Sequence, residues 1–158
     1  MSDTVVADAS VWVSWLSPLE SNYSSSNTWM ERFNASRGQF VAPSFLQIEI
    51  AASISRKTGQ ITKALAAVEA LNSIDTMQVL PLDASLVQTA TDVAINLQMR
   101  AGDAIYVALA RQMNIPLISW DKDQLSKASR FITTYTPESY PFSGDEANSG
   151  EETMGKQD

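Results

Sequence analysis

Short apolar runs alternate with amphipathic stretches along most of the chain. Val5-Val6-Ala7 is a β-prone run closed by Asp8. Asp8 or Ser10 can cap a helix through Val11–Leu16, which Ser17-Pro18 stops. A Ser/Asn-rich connection over Ser21–Asn27 precedes a predicted helix over Thr28–Phe33, and Arg37-Gly38 reads as a turn. Phe40-Val41-Ala42 is the second strand. Pro43 is placed at the first position of the next helix, where its missing N–H does no harm. That helix runs to about Lys57 and stops at Gly59. A further helix is predicted over Ile61–Ile74 and a strand over Met77–Leu80, ended by Pro81.

Asp83 caps a long helix through Met99. Gly102 is expected to break it, and Asp103 to open the next helix, through Arg111, with Asn114 as its end. Leu117–Trp120 reads as a strand ending at Asp121. A short helix over Gln124–Ala128 and a strand over Phe131–Thr134 complete the pattern. Strands alternating with helices predict an α/β domain: three layers, α/β/α, around a central, mostly parallel sheet of 4–5 short strands. The expected division is one domain over residues 1–136 and a tail over 137–158, rich in Ser, Gly, Asn and acids. That tail is expected to be disordered, with nothing to add to the core.

Composition changes this picture through two zeros. The chain of 158 residues has no Cys and no His. Disulfide frameworks, Cys/His zinc sites, thiolate nucleophiles and His-based triads are thereby excluded. The net charge of −7 is unevenly placed: residues 137–158 hold six acids and one base, the body 12 acids and 10 bases. The acidity of the whole therefore does not argue against a polyanionic substrate on the body. Asp3 and Asp8 interrupt the apolar N-terminal stretch, and no run approaches the roughly 20 apolar residues that span a bilayer. A cytoplasmic protein is expected.

Sites in open α/β sheets form at the carboxyl ends of strands. Asp8 and Asp121 each end a predicted strand, and Asp103 opens a helix. Each alone is explained as a cap or turn residue. Glu49 is different. On a helical wheel it lies between Phe45 and Ala52, inside the apolar stripe, where a carboxylate is costly without a partner. A buried ion pair with Arg56 or Arg100 would satisfy it; so would a cation shared with the other acids. Four acids packed together cannot all stay ionised without compensation. Oxygen-only ligands suit Mg²⁺ or Mn²⁺, and a divalent cation can polarise a phosphoryl oxygen and activate water.

Four segments, in order, resemble the motifs of PIN domains. They are Asp8-Ala9-Ser10-Val11; Gln47-Ile48-Glu49-Ile50-Ala51-Ala52-Ser53-Ile54-Ser55-Arg56; Gly102-Asp103-Ala104-Ile105-Tyr106-Val107-Ala108-Leu109-Ala110; and Pro116-Leu117-Ile118-Ser119-Trp120-Asp121-Lys122-Asp123. Order, spacing and length most resemble the VapC-type toxins of prokaryotic toxin–antitoxin pairs. The resemblance covers about residues 4–136. It implies a PIN-like fold and a Mg²⁺- or Mn²⁺-dependent endoribonuclease that leaves a 5′-phosphate and a 3′-hydroxyl. Asp8, Glu49, Asp103 and Asp121 match the metal-binding and catalytic acids. Ser10 and Ser119 match supporting hydroxyls, and Asp123 could assist or replace Asp121. The implied partners are an RNA substrate such as tRNA or rRNA, a cognate antitoxin and a second copy in a homodimer.

Arg56, Arg100 and Lys122 are candidate phosphate contacts, with Lys57, Lys63, Lys127 and Arg130 near them in sequence. Trp12, Trp15, Trp29 and Phe33 are core residues or, by the resemblance, part of an exposed surface for the antitoxin. Trp120, beside Asp121, is a core residue or one that lines the site and stacks on a base. Three other functions compete: a non-catalytic PIN-like binding module, a haloacid dehalogenase-like phosphatase, and a phosphoacceptor receiver domain, against which the Met77–Leu80 strand ends in Pro81 rather than Asp. The phosphatase normally has a second Asp where this chain has Ser10.

Overall fold

The computed structural model describes residues 3–145. Five strands form one parallel sheet: β1 (Thr4–Ala7), β2 (Gln39–Pro43), β3 (Met77–Leu80), β4 (Leu117–Ile118) and β5 (Thr134–Tyr135), in the order β3-β2-β1-β4-β5. Seven helices connect them: α1 (Ala9–Leu16), α2 (Tyr23–Ala35), α3 (Phe45–Thr58), α4 (Ile61–Asn72), α5 (Ala84–Leu97), α6 (Ala101–Met113) and α7 (Lys122–Ala128). The chain steps from β1 to β2 to β3 in one direction, then crosses back past β1 to β4 and β5. Right-handed crossovers therefore put α1–α4 on one face and α5–α7 on the other. The three-layer α/β/α architecture is as expected. The reversal falls between β1 and β4, which makes the carboxyl ends of these two strands the place for a site.

The central strands are almost wholly apolar because both faces are covered. Val5, Val6, Leu117 and Ile118 are wholly buried. α6 packs across β1, β2 and β4, and its run Ala104–Ala110 is buried along almost its whole surface. Among the described residues no helix is long and apolar enough to cross a membrane.

Several boundaries differ from the sequence expectation. Most of the Ser/Asn-rich stretch is helical: α2 begins at Tyr23, and the Ser26 hydroxyl is buried against that of Ser14 at 2.6 Å. A polar residue there packs inward because hydroxyls pair with one another, which hydropathy does not register. Pro43 ends β2, opposite Leu80, and α3 starts at Phe45. The break between α5 and α6 lies at Gln98, whose φ is +50°, whereas Gly102 sits inside the first turn of α6. The last strand is Thr134–Tyr135, with Phe131 exposed before it.

The aromatic surface expected for a partner is mostly interior. Trp12, Trp29 and Phe33 are buried, and Trp15 is half-buried at the edge of the same cluster. Trp12 meets Phe40 edge-on at 4.9 Å, and Trp29 stacks on Phe33 at 5.1 Å. The cause is α2, which closes over the sheet and buries the face that the first two helices share. Gly38 fits beneath this cluster. A Cβ there would stand 2.3 Å from the Phe33 ring. Gly38→Ala should destabilise the protein by about 1–3 kcal/mol, because the ring has no room to retreat. Urea unfolding of the variant checks this, and an unchanged midpoint would contradict it.

The expected domain end at residue 136 also moves. Beyond β5 the chain folds back along α2, and Tyr140 is buried against Trp29, Phe33 and Tyr135. Its hydroxyl donates to Asp3 Oδ2 at 2.6 Å. Phe142 lies under the Arg32 guanidinium, which also pairs with Asp145. Residues 137–145 thus contribute to the core, although their composition is that of a tail. The expectation of disorder for 146–158 lies outside the described residues.

Candidate active site

The four acids come from four separate elements and lie within electrostatic reach of one another: Asp8 acts on Glu49 and Asp103, and Asp121 on Asp103. Asp8 leaves β1 and caps α1: its Oδ2 accepts from the Ser10 N–H and from the Ser119 hydroxyl, each at 3.2 Å. Asp121 follows β4 and caps α7, accepting from the Gln124 N–H at 3.0 Å. Asp103 occupies the first turn of α6, and Glu49 projects from α3. Ser10 and Ser119 join the two strand ends, hydroxyl to hydroxyl at 3.3 Å. Ser119 also accepts from the Asp121 N–H, and Ser10 from the Trp120 N–H. Both serines therefore stand beside Asp8 and Asp121.

Glu49 finds neither Arg56 nor Arg100 as a hydrogen-bonding partner. It accepts a short hydrogen bond from the Tyr106 hydroxyl. It is half-buried beside the Leu46–Ile50–Ile54 stripe, so the wheel placed it one step too deep. Gly102 is what allows its approach to α6, since a Cβ there would stand 2.8 Å from Glu49 Oε1. Two residues given no role at the outset matter here. Tyr106 lies one turn after Asp103 on the same helix face, which is the only signal the sequence carried for it. Gln124 is fully buried and donates from its side chain to the Asp103 carbonyl at 3.2 Å, tying α7 to α6. Nothing in the local pattern marks it as interior.

Electrostatics set Asp8, Glu49 and Asp103 apart. Burial pushes the Asp8 carboxyl up, against the hydrogen bonds from Ser10 and Ser119. Burial also raises Glu49 and Asp103, and the neighbouring charge of Asp8 adds to both. Tyr106 is raised strongly by burial and then by the Glu49 charge, so it stays protonated and donates. The exposed Arg100 bridges Asp103 at 3.2 Å and Asp121 at 3.3 Å. In this arrangement Asp8 and Glu49 each have their own hydroxyl donor, and Asp103 and Asp121 share Arg100. Among the described residues no three His, Cys, Asp or Glu side chains converge closely enough to hold a metal ion. Asp123 pairs with Lys127 at 2.9 Å, is largely exposed, and stands outside the group. Arg56 lies in a cleft beside Glu49.

The raised carboxyls bind protons more tightly in the folded protein than in the unfolded chain. Their contribution to stability is fully present below the ordinary carboxylate values of 3.8 and 4.5 and is lost as pH rises through the raised ones. Chelator-treated protein should therefore lose melting temperature as pH climbs from that range toward neutrality. A melting temperature that rises steadily with pH in the chelated protein would contradict this.

An α/β fold whose strand ends present clustered carboxylates defines the class to compare. The PIN domain family matches residues 5–130, and the chain belongs to that family. No curated protein matches it in sequence. Solved structures share its fold. A sarcin-ricin loop cleaving toxin, VapC20 of Mycobacterium tuberculosis, is 20% identical with a TM-score of 0.66, over 81% of this chain and 96% of its own. VapBC2 of Rickettsia felis, bound to a promoter DNA fragment, is 12% identical with a TM-score of 0.64, over 84% and 98%. DNA-bound VapBC of Salmonella typhimurium is 15% identical with a TM-score of 0.64, over 85% and 98%.

Proposed function

We propose that this chain is a divalent-metal-dependent endoribonuclease and the toxin of a toxin–antitoxin pair. The observation that carries the proposal is the group of desolvated carboxyls at the switch point of the sheet: burial raises Asp8, Glu49 and Asp103, and the Asp8 charge raises the other two further. Such a group is costly to the fold and is the signature of a site. PIN family membership and the similarity in fold to an RNA-cleaving toxin support the same reading.

The donor set fits a hard divalent cation, being oxygen-only and short of positive charge at its buried end. Asp8 and Asp103 would hold it, with Glu49 and Asp121 completing the set once Arg100 and Tyr106 release them. When bound, Mg²⁺ or Mn²⁺ supplies charge stabilisation at the phosphoryl oxygens and a water activated for attack. Ser10 and Ser119 hold the Asp8 carboxylate in place through their hydrogen bonds. Gln124 fixes the distance between the helices that carry Asp103 and Asp121. Arg100, once free of the acids, is placed to meet a substrate phosphate, and Lys122 beside Asp121 can do the same.

For the antitoxin, the surface shifts from the buried aromatics to exposed aliphatics. Leu19 is 90% exposed beside a groove lined by Leu16, Ile54 and Ala67, and α4 adds exposed Ile61 and Leu65. An amphipathic segment fits such a surface. A homodimer belongs to the same reading, with exposed Val87 and Ile95 of α5 available for it.

RNA cleavage by partner-free protein tests the proposal. Hydrolysis of tRNA or rRNA with Mg²⁺ or Mn²⁺, abolished by chelator, is expected. Protein that binds no divalent metal and cuts no RNA would refute it and leave a non-catalytic PIN-like module.

A further inference from the structure

A cleft of about 340 Å³ opens beside the acids, between the start of α1, the α1–α2 connection and α3. Glu49 belongs to both the cleft and the acidic group, so an occupant of the cleft is adjacent to the reaction centre. Ser10, Asn22 and Ser53 give it polar walls, and Arg56 and Lys57 give it positive charge. Lys57 is already paired with Glu20 at 2.6 Å. Arg56 forms no ion pair among the described residues, and its Nε donates only to the Ala52 carbonyl at 3.2 Å.

Trp120 is the one aromatic side chain in this lining. Its indole N–H is spent on the Ser26 hydroxyl at 2.8 Å, and its backbone N–H on Ser10 at 3.1 Å. Ser26 is itself held by Ser14. The ring is therefore anchored, and what it still offers is apolar ring surface rather than a donor. A fixed aromatic ring among hydroxyls and an amide, with an unpaired guanidinium on the same cleft and the Glu49 carboxylate leading to the acidic group, suits one chemistry. That chemistry is a flat base joined to a phosphate.

Resting on the ribonuclease reading, we infer that this cleft is a nucleobase subsite, in which an unpaired RNA base next to the scissile phosphate stacks on Trp120 and its phosphate meets Arg56. The subsite makes the enzyme select RNA with an unstacked nucleotide beside the cut, because a paired base must first be unpaired and unstacked, which weakens its binding.

The test uses the full chain carrying Asp8→Asn, with Mg²⁺, and a labelled single-stranded octaribonucleotide. In a series of probes each base in turn is replaced by an abasic ribose, and binding is read by fluorescence anisotropy. One abasic position should weaken binding about 5- to 100-fold. Adding Trp120→Leu should erase that positional effect, while Trp120→Phe should keep most of it. Ala52→Trp, an exposed position on the cleft wall, should erase it without touching the Trp120 anchors. Arg56→Ala should weaken all probes alike and lower the salt dependence by about one phosphate contact. The inference is overturned if no position is sensitive, or if the same position stays sensitive in both Trp120→Leu and Ala52→Trp. Cleavage by the chain without Asp8→Asn is measured alongside. If RNA is cut but the positional effect is absent or indifferent to these changes, this inference alone falls; if no RNA is bound or cut, both readings fall.

Discussion

Asp8→Asn should cut metal-dependent RNA hydrolysis by about 10³-fold or more while leaving the melting temperature unchanged or higher. The first half follows from charge. A divalent ion seated on carboxylates contributes several kcal/mol to a phosphoryl transition state, and each 1.36 kcal/mol is tenfold in rate. The second half follows from burial. Asp8 is only 5% exposed, and desolvation dominates its surroundings. The amide keeps an oxygen to accept from the Ser10 N–H and the Ser119 hydroxyl, so both hydrogen bonds can persist. What disappears is a poorly solvated charge that also raises Glu49 and Asp103. Stability gained at the expense of activity is expected of a residue kept for chemistry. Parallel cleavage assays and thermal melts decide it. Activity within tenfold of the parent would remove Asp8 from the site, and a large fall in melting temperature would make it a structural cap.

Tyr140→Ala should destabilise the fold by about 3 kcal/mol, the low end for removing a buried aromatic ring. Tyr140 is 7% exposed and meets four aromatic rings edge-on: Trp29, Phe33, Tyr135 and Phe142. Its removal opens a cavity over Trp29 and Phe33, which β5 cannot fill. Tyr140→Phe should lose less, about 1 kcal/mol, since only the hydrogen bond to Asp3 goes. Denaturant unfolding of the two variants separates ring from hydroxyl. Equal, small losses would show that residues 137–145 lie loosely on the domain.

The acids were legible because their positions follow from local rules. Asp8 and Asp121 end apolar runs and cap the helices that follow, and both roles are written in adjacent residues. Asp103 follows Gly102 at the head of an apolar helix. Other features resisted the same treatment because their causes are distant in the chain. Glu49 has Tyr106 as its hydrogen-bond donor, 57 positions away, and no wheel drawn on one helix contains that contact. Gly102 reads as a helix breaker, yet its missing Cβ is room for Glu49. The serines of α2 read as a loop until Ser14 and Trp120 are placed beside Ser26. Tyr140 stands among Pro, Ser, Gly and acids, so its neighbourhood hides a core residue.

By itself the sequence determined the alternation of strands and helices, the absence of thiol and imidazole chemistry, three acids at element ends and a fourth, Glu49, beside the apolar stripe of a helix. These depend on side-chain type and on periodicities of two and 3.6 residues, which act over a few neighbours. Tertiary structure alone decided which acids face one another, which ones burial raises, that Arg100 bridges two of them, and that the aromatic helices face inward. Those outcomes depend on the order of strands in the sheet. The crossover past β1 brings residues more than a hundred positions apart within hydrogen-bonding distance, as Asp8 and Ser119 are.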